Sequence, residues 1–260
     1  MKIGNKHHAD NEEFVKVWRD ISNVISKEEC EVLVRDTAND IKQVVRGRKA
    51  AYGWSGGKDS QALQIVCEQA GIHRGVCAIA SNLMFPDVLP WLKSNKPIGV
   101  EFYDYPQYDI RFLSNHAELL FPYPSKNKWA QLVQINAQDR YCKANGIDVM
   151  LLGRRLLDGN CCGKGRKLFK KGKCTIYNPI ASWTHEQVLG VIYYYLGRNI
   201  LPTYYYRDGF ILSAEIWPNL VKTPNKRTGW QRIYDIDNSL VENAAQYIAS
   251  AKEFINTNKK

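Results

Sequence analysis

One short segment, Ser55-Gly56-Gly57-Lys58-Asp59-Ser60, constrains the fold of this chain more than any other. It follows an apolar stretch, residues 50–52, and precedes a helical pattern at residues 63–67. Small residues at a strand-to-helix junction let backbone N–H groups approach phosphate oxygens, and the helix N-terminus adds partial positive charge. Lys58 contributes a full charge, and the two serines contribute hydroxyl donors. The segment therefore predicts a phosphate-binding loop.

Counting positions excludes two common phosphate motifs. The Walker A loop needs Gly-x-x-x-x-Gly-Lys-Ser/Thr, but Tyr52 stands where its first glycine would fall and Asp59 follows the lysine. The dinucleotide fingerprint Gly-x-Gly-x-x-Gly does not occur at this turn either. Two alternatives stay open: a glycine turn with a fortuitous lysine, and a loop that binds phosphate without chemistry.

Predicted strands and helices alternate through the middle of the chain. Strands are predicted at 49–54, 76–80, 98–103 and 149–152, and helices at 59–70, 86–94 and 126–145. This alternation is typical of an α/β fold with an open, mostly parallel, twisted sheet and helices on both faces. Ligands of such sheets sit at the C-terminal strand ends, near a switch in strand order. The loop at 55–60 and Gly153-Arg154-Arg155 both follow a predicted strand.

Helical patterns extend beyond this core on both sides. Residues 10–46 predict two helices, the second with a capping box formed by Ser26 and Glu29. A helix at 184–196 has Ser182 or Thr184 as its cap, a short helix lies near 214–220, and a final helix spans 239–256. We expect an N-terminal helical extension (1–47), a nucleotide-binding α/β domain (48–208) and a C-terminal helical extension (209–260) in one compact unit.

Several motifs together resemble a known family. Ser55–Ser60 resembles the PP-loop of the ATP pyrophosphatases, which cleave ATP between its α- and β-phosphates. Four later segments are similar, in the same order along the chain, to those of the phosphoadenosine-phosphosulfate (PAPS) reductase-like branch. They are Phe85-Pro86-Asp87, Gly153-Arg154-Arg155, Pro179-Ile180-Ala181-Ser182-Trp183-Thr184 and Leu201-Pro202-Thr203-Tyr204. The resemblance implies an adenine nucleotide alpha hydrolase-like, Rossmann-like fold and a divergent member of the kind found in phages and mobile elements.

The resemblance also implies an activity and a set of site residues. It implies an enzyme that binds ATP, releases pyrophosphate and transfers AMP to an unknown acceptor, in sulfur metabolism or nucleic-acid modification. The cofactors implied are ATP and Mg²⁺, with Asp59 either holding the metal through water or capping the following helix. The residues implied to bind the nucleotide are Ser55, Gly56, Gly57, Lys58, Asp59, Ser60, Ala80 and Gly153. The catalytic residues implied are Lys58, Asp59, Arg154 and Arg155.

These catalytic residues have distinct expected roles. The backbone of Gly56 and Gly57 and the hydroxyls of the two serines would hold the departing pyrophosphate. Lys58 would neutralise the charge that grows on the leaving group. Arg154 and Arg155 would clamp the α-phosphate or an anionic acceptor, because a guanidinium matches phosphate geometry. A surface salt bridge is the alternative for these arginines.

Two departures from the family pattern leave other functions open. The chain has no cysteine after Cys174, so the C-terminal Glu-Cys-Gly-x-His element of true PAPS reductases is absent. Residues 156–160 read Leu-Leu-Asp-Gly-Asn, where the family often carries Glu-Ser and an arginine. The alternatives are a sulfonucleotide (PAPS or adenosine phosphosulfate) enzyme that uses an external thiol, and a catalytically silent nucleotide- or nucleic-acid-binding protein.

Positive charge is concentrated in one segment. The 260-residue chain has a formal net charge of +10, and residues 154–173 hold eight basic side chains against Asp158 alone. Such a cluster predicts contact with nucleic acid or another polyanion, and the alternative is a solvated loop. The sequence has no long apolar run and no apolar signal core. We therefore expect a cytoplasmic protein without a membrane partner, with its oligomeric state open.

Cysteine spacing gives a weaker signal. Cys161, Cys162 and Cys174 lie near one another in sequence, and Cys142 is a candidate fourth ligand. The spacing matches no standard metal motif, so we expect neither an iron–sulfur cluster nor zinc. A redox or sulfur-relay thiol is the other interpretation, because nearby lysines lower a thiol pKa. The histidines show no metal or triad spacing and are expected to be structural or surface groups.

Overall fold

The computed structural model describes residues 3, 10–121, 128–159, 162, 167–171, 174–212, 215–219 and 225–258. Its contacts divide the chain into two compact units. The first unit comprises Met1–Cys77, Leu92–Tyr103 and Ala137–Leu201, and the second comprises Ala78–Trp91, Asp104–Asn136 and Pro202–Lys260. The expected division at residues 47 and 208 stays a prediction.

The described part of the chain contains a six-stranded sheet with the order β3-β2-β1-β4-β6-β5. β1 pairs in parallel with β2 and with β4, β4 pairs in parallel with β6, and β5 pairs antiparallel with β6. The strands are β1 (Ala50–Gly53), β2 (Gly75–Ile79), β3 (Val100–Asp104), β4 (Val149–Leu151), β5 (Leu168–Lys171) and β6 (Cys174–Tyr177). The predicted α/β fold with an open, mostly parallel sheet is confirmed.

Helices connect and flank these strands. They are α1 (Asn11–Arg19), α2 (Ile21–Val24), α3 (Lys27–Val44), α4 (Lys58–Gln69), α5 (Val88–Asn95), α6 (Ile110–Ser114), α7 (Asn136–Asn145), α8 (His185–Leu196), α9 (Gly209–Leu212), α10 (Lys226–Ile236), α11 (Asn238–Ala244) and α12 (Ala249–Asn258). A π-helical stretch, Ala130–Ile135, precedes α7. No helix among the described residues is long and apolar enough to cross a membrane.

The order of the strands places a switch point between β1 and β4. From β1 the chain runs outward through β2 to β3, and it then returns to the other side of β1 to form β4. β1 is central and pairs on both edges, which is why Ala51 and Tyr52 are fully buried apolar residues. The crevice between the carboxyl ends of β1 and β4 is where such sheets bind ligands.

Three helices of the first unit, α3, α4 and α8, pack against one another. α3 begins with the predicted capping box, in which Ser26 Oγ accepts from the Glu29 N–H and the Glu29 carboxylate accepts from the Ser26 N–H. Its buried side chains recur every three or four residues, at Cys30, Val34, Ala38 and Ile41. The amphipathic pattern therefore sets which face of α3 packs inward.

Some predicted elements differ from the structure. The region 10–46 forms three helices rather than two, and the expected final helix is broken into α11 and α12 after an unpredicted α10. The short helix expected near 214–220 is a 3₁₀ turn at Trp217–Asn219, and residues 214 and 220 lie outside the described ones. The β5–β6 hairpin was also missed, because its basic residues resemble a solvated loop in sequence.

The second unit has an aromatic core of its own. Trp129 is buried, donates its indole N–H to the Leu119 carbonyl at 3.0 Å, and lies 5.7 Å from the Tyr108 ring. Phe121 packs edge-on against Trp230, with ring centroids 5.2 Å apart. The contact with Trp230 places α10 against Phe121.

Candidate functional site

The Ser55–Ser60 segment forms the turn between β1 and the start of α4, as predicted. Gly56 has φ +79°, a left-handed conformation that favours glycine. Gly57 is the N-cap of α4 with extended backbone, φ −63° and ψ 152°, and the helix has no side-chain cap hydrogen bond. Two adjacent glycines therefore place backbone without side chains at a helix N-terminus, an arrangement that suits an anion.

The two serines hold this turn together. The Ser60 hydroxyl accepts from the Ser55 N–H at 3.1 Å and donates to the Gly57 carbonyl at 2.8 Å. The Ser55 hydroxyl accepts from the Gly57 N–H at 3.3 Å and lies 3.3 Å from the Ser60 hydroxyl. Both side chains thus shape the loop from within, and their expected contact with pyrophosphate stays a prediction.

Lys58 is buried, with only 1% of its side chain exposed. Its Nζ lies 2.7 Å from Asp59 Oδ2 and 4.0 Å from Asp158 Oδ1. A buried ammonium is costly unless paired, and these carboxylates supply the pairing. The loop lysine is therefore held under the loop by neighbouring acids.

Arg155 is the centre of the buried network, and none of its side chain is exposed. Its Nε donates to Asp59 Oδ1 at 2.6 Å, and its Nη2 lies 2.9 Å from Asp158 Oδ2. Its Nη1 donates to the Trp183 carbonyl at 3.2 Å, and Nη2 lies 2.9 Å from His185 Nδ1. The guanidinium is engaged on every side by the protein, so the structure does not present it as a phosphate clamp. Its salt bridges are buried, not at the surface.

Asp59 bridges the two cations. One carboxylate oxygen contacts Lys58 and the other contacts Arg155. The cap of α4 is Gly57, so the expected alternative role of Asp59 as a helix cap is wrong. The expected magnesium role does not fit this geometry either, because both carboxylate oxygens already bind cations of the protein.

Gly153 brings the end of β4 against the first turn of α4. A Cβ at this position would lie 2.7 Å from the Asp59 carbonyl oxygen and 2.9 Å from its carbonyl carbon. Only glycine permits this approach without a shift of backbone. Gly153 and the PP-loop-like segment, 93 residues or more apart in sequence, therefore meet at the switch point as predicted.

The remaining predicted site residues lie in two places. Arg154 is half-exposed beside Gly153, and its carbonyl accepts a weak hydrogen bond from the Cys162 thiol at 3.5 Å. Ala80 directly follows β2, is buried, and is grouped with the second unit. The binding roles of both residues stay predictions.

Asp158, Trp183 and His185 complete the network and were not predicted as site residues. In the sequence, Asp158 was noted only as the single acid in a basic segment, and His185 was expected to be a structural or surface residue. His185 is fully buried and packs edge-on to Phe14, with ring centroids 4.8 Å apart. The sequence feature that could have pointed to Trp183 and His185 is the Pro179–Thr184 stretch, which contains Trp183 and directly precedes His185.

The cysteines do not gather as one group. Cys142 and Cys174 lie 3.6 Å apart, whereas Cys162 contacts Arg154 and Cys161 lies outside the described residues. Within the described ranges, no set of three or more His, Cys, Asp or Glu side chains is arranged to hold a metal ion. Burial raises the pKa of the Cys30 thiol to about 12 and that of Cys67 well above its usual value.

Comparison with known proteins gives similarity to solved structures alone. No family model matches the chain, and no curated protein matches it. It is similar to a PAPS reductase from Candida auris, solved as a phosphate complex, with 15% identity over 65% of this chain and 86% of that one and a TM-score of 0.45. It is also similar to the U34-tRNA thiolase NcsA from Methanococcus maripaludis, with 14% identity over 99% of this chain and 84% of that one and a TM-score of 0.44.

The second comparison corrects the expected cofactors. We expected ATP and Mg²⁺ and neither an iron–sulfur cluster nor zinc. The thiolase, however, is described with its [4Fe-4S] cluster. Exclusion of a cluster from the cysteine spacing was therefore wrong as an inference, because a protein of similar structure contains one.

Proposed function

We propose that this chain is an enzyme of the PP-loop type that uses ATP as a substrate, cleaves its α–β phosphate bond and transfers AMP to an acceptor. The observation that carries the proposal is the position of the Ser55–Ser60 turn, at the carboxyl end of the central strand β1 and beside Gly153 at the end of β4. Gly56 and Gly57 place backbone without side chains at the start of α4, and a buried lysine follows them directly.

In the proposed reaction, a nucleophilic atom of the acceptor attacks the α-phosphorus of ATP. The bond from that phosphorus to the bridging oxygen breaks, and pyrophosphate leaves with the electron pair. Negative charge grows on the leaving group, so a fixed cation near it lowers the barrier. Lys58 is the proposed cation, and its partner Asp59 fixes the position of its ammonium group before substrate binds.

The network behind the loop supports this assignment. Arg155 does not reach the surface, yet it holds Asp59 from the side opposite Lys58. We assign Arg155 as a positioning residue and Asp59 as the link between it and the lysine. Arg154, which is half-exposed at the same strand end, is the arginine proposed to contact the α-phosphate or the acceptor.

Formation of AMP and pyrophosphate from α-labelled ATP tests the proposal. Replacement of Lys58 by alanine is expected to lower the rate by about 10²–10³-fold, the usual loss for one electrostatic group at a developing charge. Lys42→Ala, an exposed lysine in the last turn of α3, is the matched control and should leave the rate unchanged. Equal rates for wild type and Lys58→Ala in folded protein would contradict the proposal.

Ligand-induced thermal stabilisation separates the alternatives. A ligand that binds only the folded state raises Tm, so ATP, PAPS and adenosine phosphosulfate can be compared directly. Stabilisation by ATP is the expected result. Stabilisation by PAPS or adenosine phosphosulfate alone would favour the sulfonucleotide enzyme, and stabilisation by ATP without turnover would favour a silent binding protein.

We also propose that the basic segment contacts a polyanion, with nucleic acid as the partner tested. β5 is an edge strand, and its alternating exposure turns Leu168 and Lys170 outward. Lys167 is 42% exposed, and its nearest acid, Asp40, is 3.8 Å away. Binding of single-stranded RNA or DNA should weaken steeply as salt rises. Lys170→Glu should weaken it further, whereas absence of binding at low salt would overturn this proposal.

A further inference from the structure

A second chemical feature lies away from the phosphate loop. Cys142, near the C-terminal end of α7, donates its thiol to the Sγ of Cys174, the first residue of β6, across 3.6 Å. Both residues are half-buried. The other described cysteines, Cys30, Cys67, Cys77 and Cys162, are buried.

An independent contact holds the same two elements together. Lys171 Nζ lies 3.0 Å from Asp139 Oδ1, and Asp139 precedes Cys142 by three residues on α7. Residues three apart share a face of a helix. In the β5–β6 ladder, Lys171 is paired with Cys174. The hairpin is therefore attached to one face of α7 by an ion pair and by the two thiols side by side.

We propose that Cys142 and Cys174 are a redox-active dithiol, which a low-molecular-weight disulfide such as oxidised glutathione converts to an intramolecular disulfide. Bond formation requires the two sulfur atoms to approach to about 2.05 Å. The movement is short, because the thiols are already neighbours. This modification site is independent of the proposed ATP chemistry.

The exchange proceeds in two balanced steps. The Cys174 thiolate attacks one sulfur of oxidised glutathione, forms a mixed disulfide and releases one glutathione thiolate. The Cys142 thiolate then attacks the Cys174 sulfur and displaces the second glutathione. The protein loses two electrons and two protons overall, and two molecules of glutathione are formed from one oxidised molecule.

The electrostatics give the two thiols different roles. The hydrogen bond from Cys142 lowers the pKa of Cys174, while the same contact and then burial raise the pKa of Cys142. The charged groups that face the pair are Asp139, Asp148 and Lys171. Asp139 raises both pKa values and Asp148 raises that of Cys174, each by less than the thiol contact shifts it, while Lys171 lowers the pKa of Cys142. Cys174 is therefore the attacking thiol and Cys142 the resolving one.

The site lies at the opposite end of β4 from the phosphate loop. Thr175, next to Cys174, pairs with Val149 at the start of β4, whereas Gly153 follows the end of that strand. A disulfide would join α7 to β6 and close a covalent loop around β4 and the basic segment. It would do so without using any residue of the Lys58–Arg155 network.

Peptide mapping after incubation of the whole protein in oxidised glutathione tests the proposal. The sample is quenched in acid, and free thiols are alkylated. Wild type is expected to give a peptide cross-linked between Cys142 and Cys174, which disappears on reduction. Full alkylation of both residues, or separate glutathione adducts without a cross-link, would overturn the proposal.

Single substitutions test the order of attack. Cys142→Ser should accumulate a glutathione adduct at Cys174, and Cys174→Ser should give much less adduct at Cys142. The control is the double substitution Cys161→Ser and Cys162→Ser, which should leave the cross-link intact. Loss of the cross-link in this control would assign the redox partner to Cys161 or Cys162 instead and overturn the assigned pair.

Discussion

At the scale of single residues, the defining feature of the first unit is a group of charges removed from water. Lys58 and Arg155 are almost fully buried, and Asp59 and Asp158 lie between them. Burial of each charge alone would carry a large desolvation penalty. That penalty is offset only because every cation contacts an acid.

Removal of the central guanidinium should therefore be severe. Arg155→Ala leaves two carboxylates short of a partner and is expected to lower the free energy of unfolding by about 3–5 kcal/mol. Urea denaturation measures the change. The neighbouring Arg154→Ala, at a half-exposed position, should stay within about 0.5 kcal/mol of wild type. Similar small losses in both variants would show that the network does not stabilise the fold.

The close approach at Gly153 gives a second residue-scale prediction. Gly153→Ala places a Cβ against the backbone of Asp59, so we expect a loss of about 1–3 kcal/mol and of stabilisation by ATP. Gly146→Ala is the control, since Gly146 has φ +61° but nothing within 4 Å of its Cβ position. Strain should destabilise that variant while ATP still raises its Tm. If ATP raised the Tm of Gly153→Ala as much as that of wild type, the contact between Gly153 and Asp59 would not be needed for ATP binding.

Two tyrosine hydroxyls can be compared, one buried and one part-buried. Among the described residues, the buried Tyr52 hydroxyl has no hydrogen-bond partner, whereas the Tyr194 hydroxyl donates to the Ile25 carbonyl at 3.0 Å. Tyr52→Phe should be neutral or stabilising, and Tyr194→Phe should cost about 1 kcal/mol. Chemical denaturation measures the free energy of unfolding of the two variants side by side. A larger loss in Tyr52→Phe than in Tyr194→Phe would contradict the prediction.

At the scale of elements, the start of α8 links secondary structure to the site. Thr184 caps the helix by accepting from the Gln187 N–H, and the Gln187 side chain accepts from the Thr184 N–H. The next residue, His185, contacts Arg155. Helix capping therefore also fixes one wall of the buried network. The two caps considered from sequence, Ser182 and Thr184, are distinguished by this geometry.

Substitution at the two candidate caps should give unequal results. Thr184→Ala removes the side-chain acceptor and is expected to cost about 1 kcal/mol. Ser182→Ala, at an exposed position two residues earlier, should change the free energy of unfolding by less than about 0.5 kcal/mol. Thermal or urea unfolding provides the comparison. Equal losses of stability in the two variants would show that Thr184 is not the cap.

At the scale of the whole molecule, buried tyrosines make stability depend on alkaline pH. Burial raises the pKa of Tyr177 from 10.0 to about 12 and raises those of Tyr52 and Tyr206 further. The folded protein holds these protons to a higher pH than the unfolded chain does. The contribution of Tyr177 is therefore complete below pH 10 and is lost as pH rises from 10.0 to about 12, whereas the contributions of Tyr52 and Tyr206 continue to be lost at higher pH.

The urea midpoint should accordingly fall between about pH 8 and about pH 11. Tyr52→Phe removes one of the shifted groups, so its midpoint should fall less over the same interval. The difference between the two curves, rather than the decline alone, is the diagnostic measurement. Parallel curves would show that Tyr52 does not contribute to the alkaline loss.

Local signals in the sequence determined much of this molecule. Alternating strands and helices predicted the α/β class, and the Ser26 cap was visible because the capping box depends on residues three apart. Thr184 was one of two candidate caps, and the structure decided between them. The loop at 55–60 was predicted at its correct junction, since turns of small residues are encoded locally. The β5–β6 hairpin was missed because pairing between its strands, not the composition of either strand, defines it.

The sequence by itself therefore determined the class of fold, the position of the turn at 55–60 and the glycine that meets it. Only the tertiary structure decided what the charged residues do there. Arg155 looked like a surface clamp until burial and four partners placed it beneath the loop. Cys142 and Cys174 became neighbours in the same way. The physical reason is that a motif fixes which groups are close along the chain, whereas burial and long-range packing fix which of them face water and which face one another.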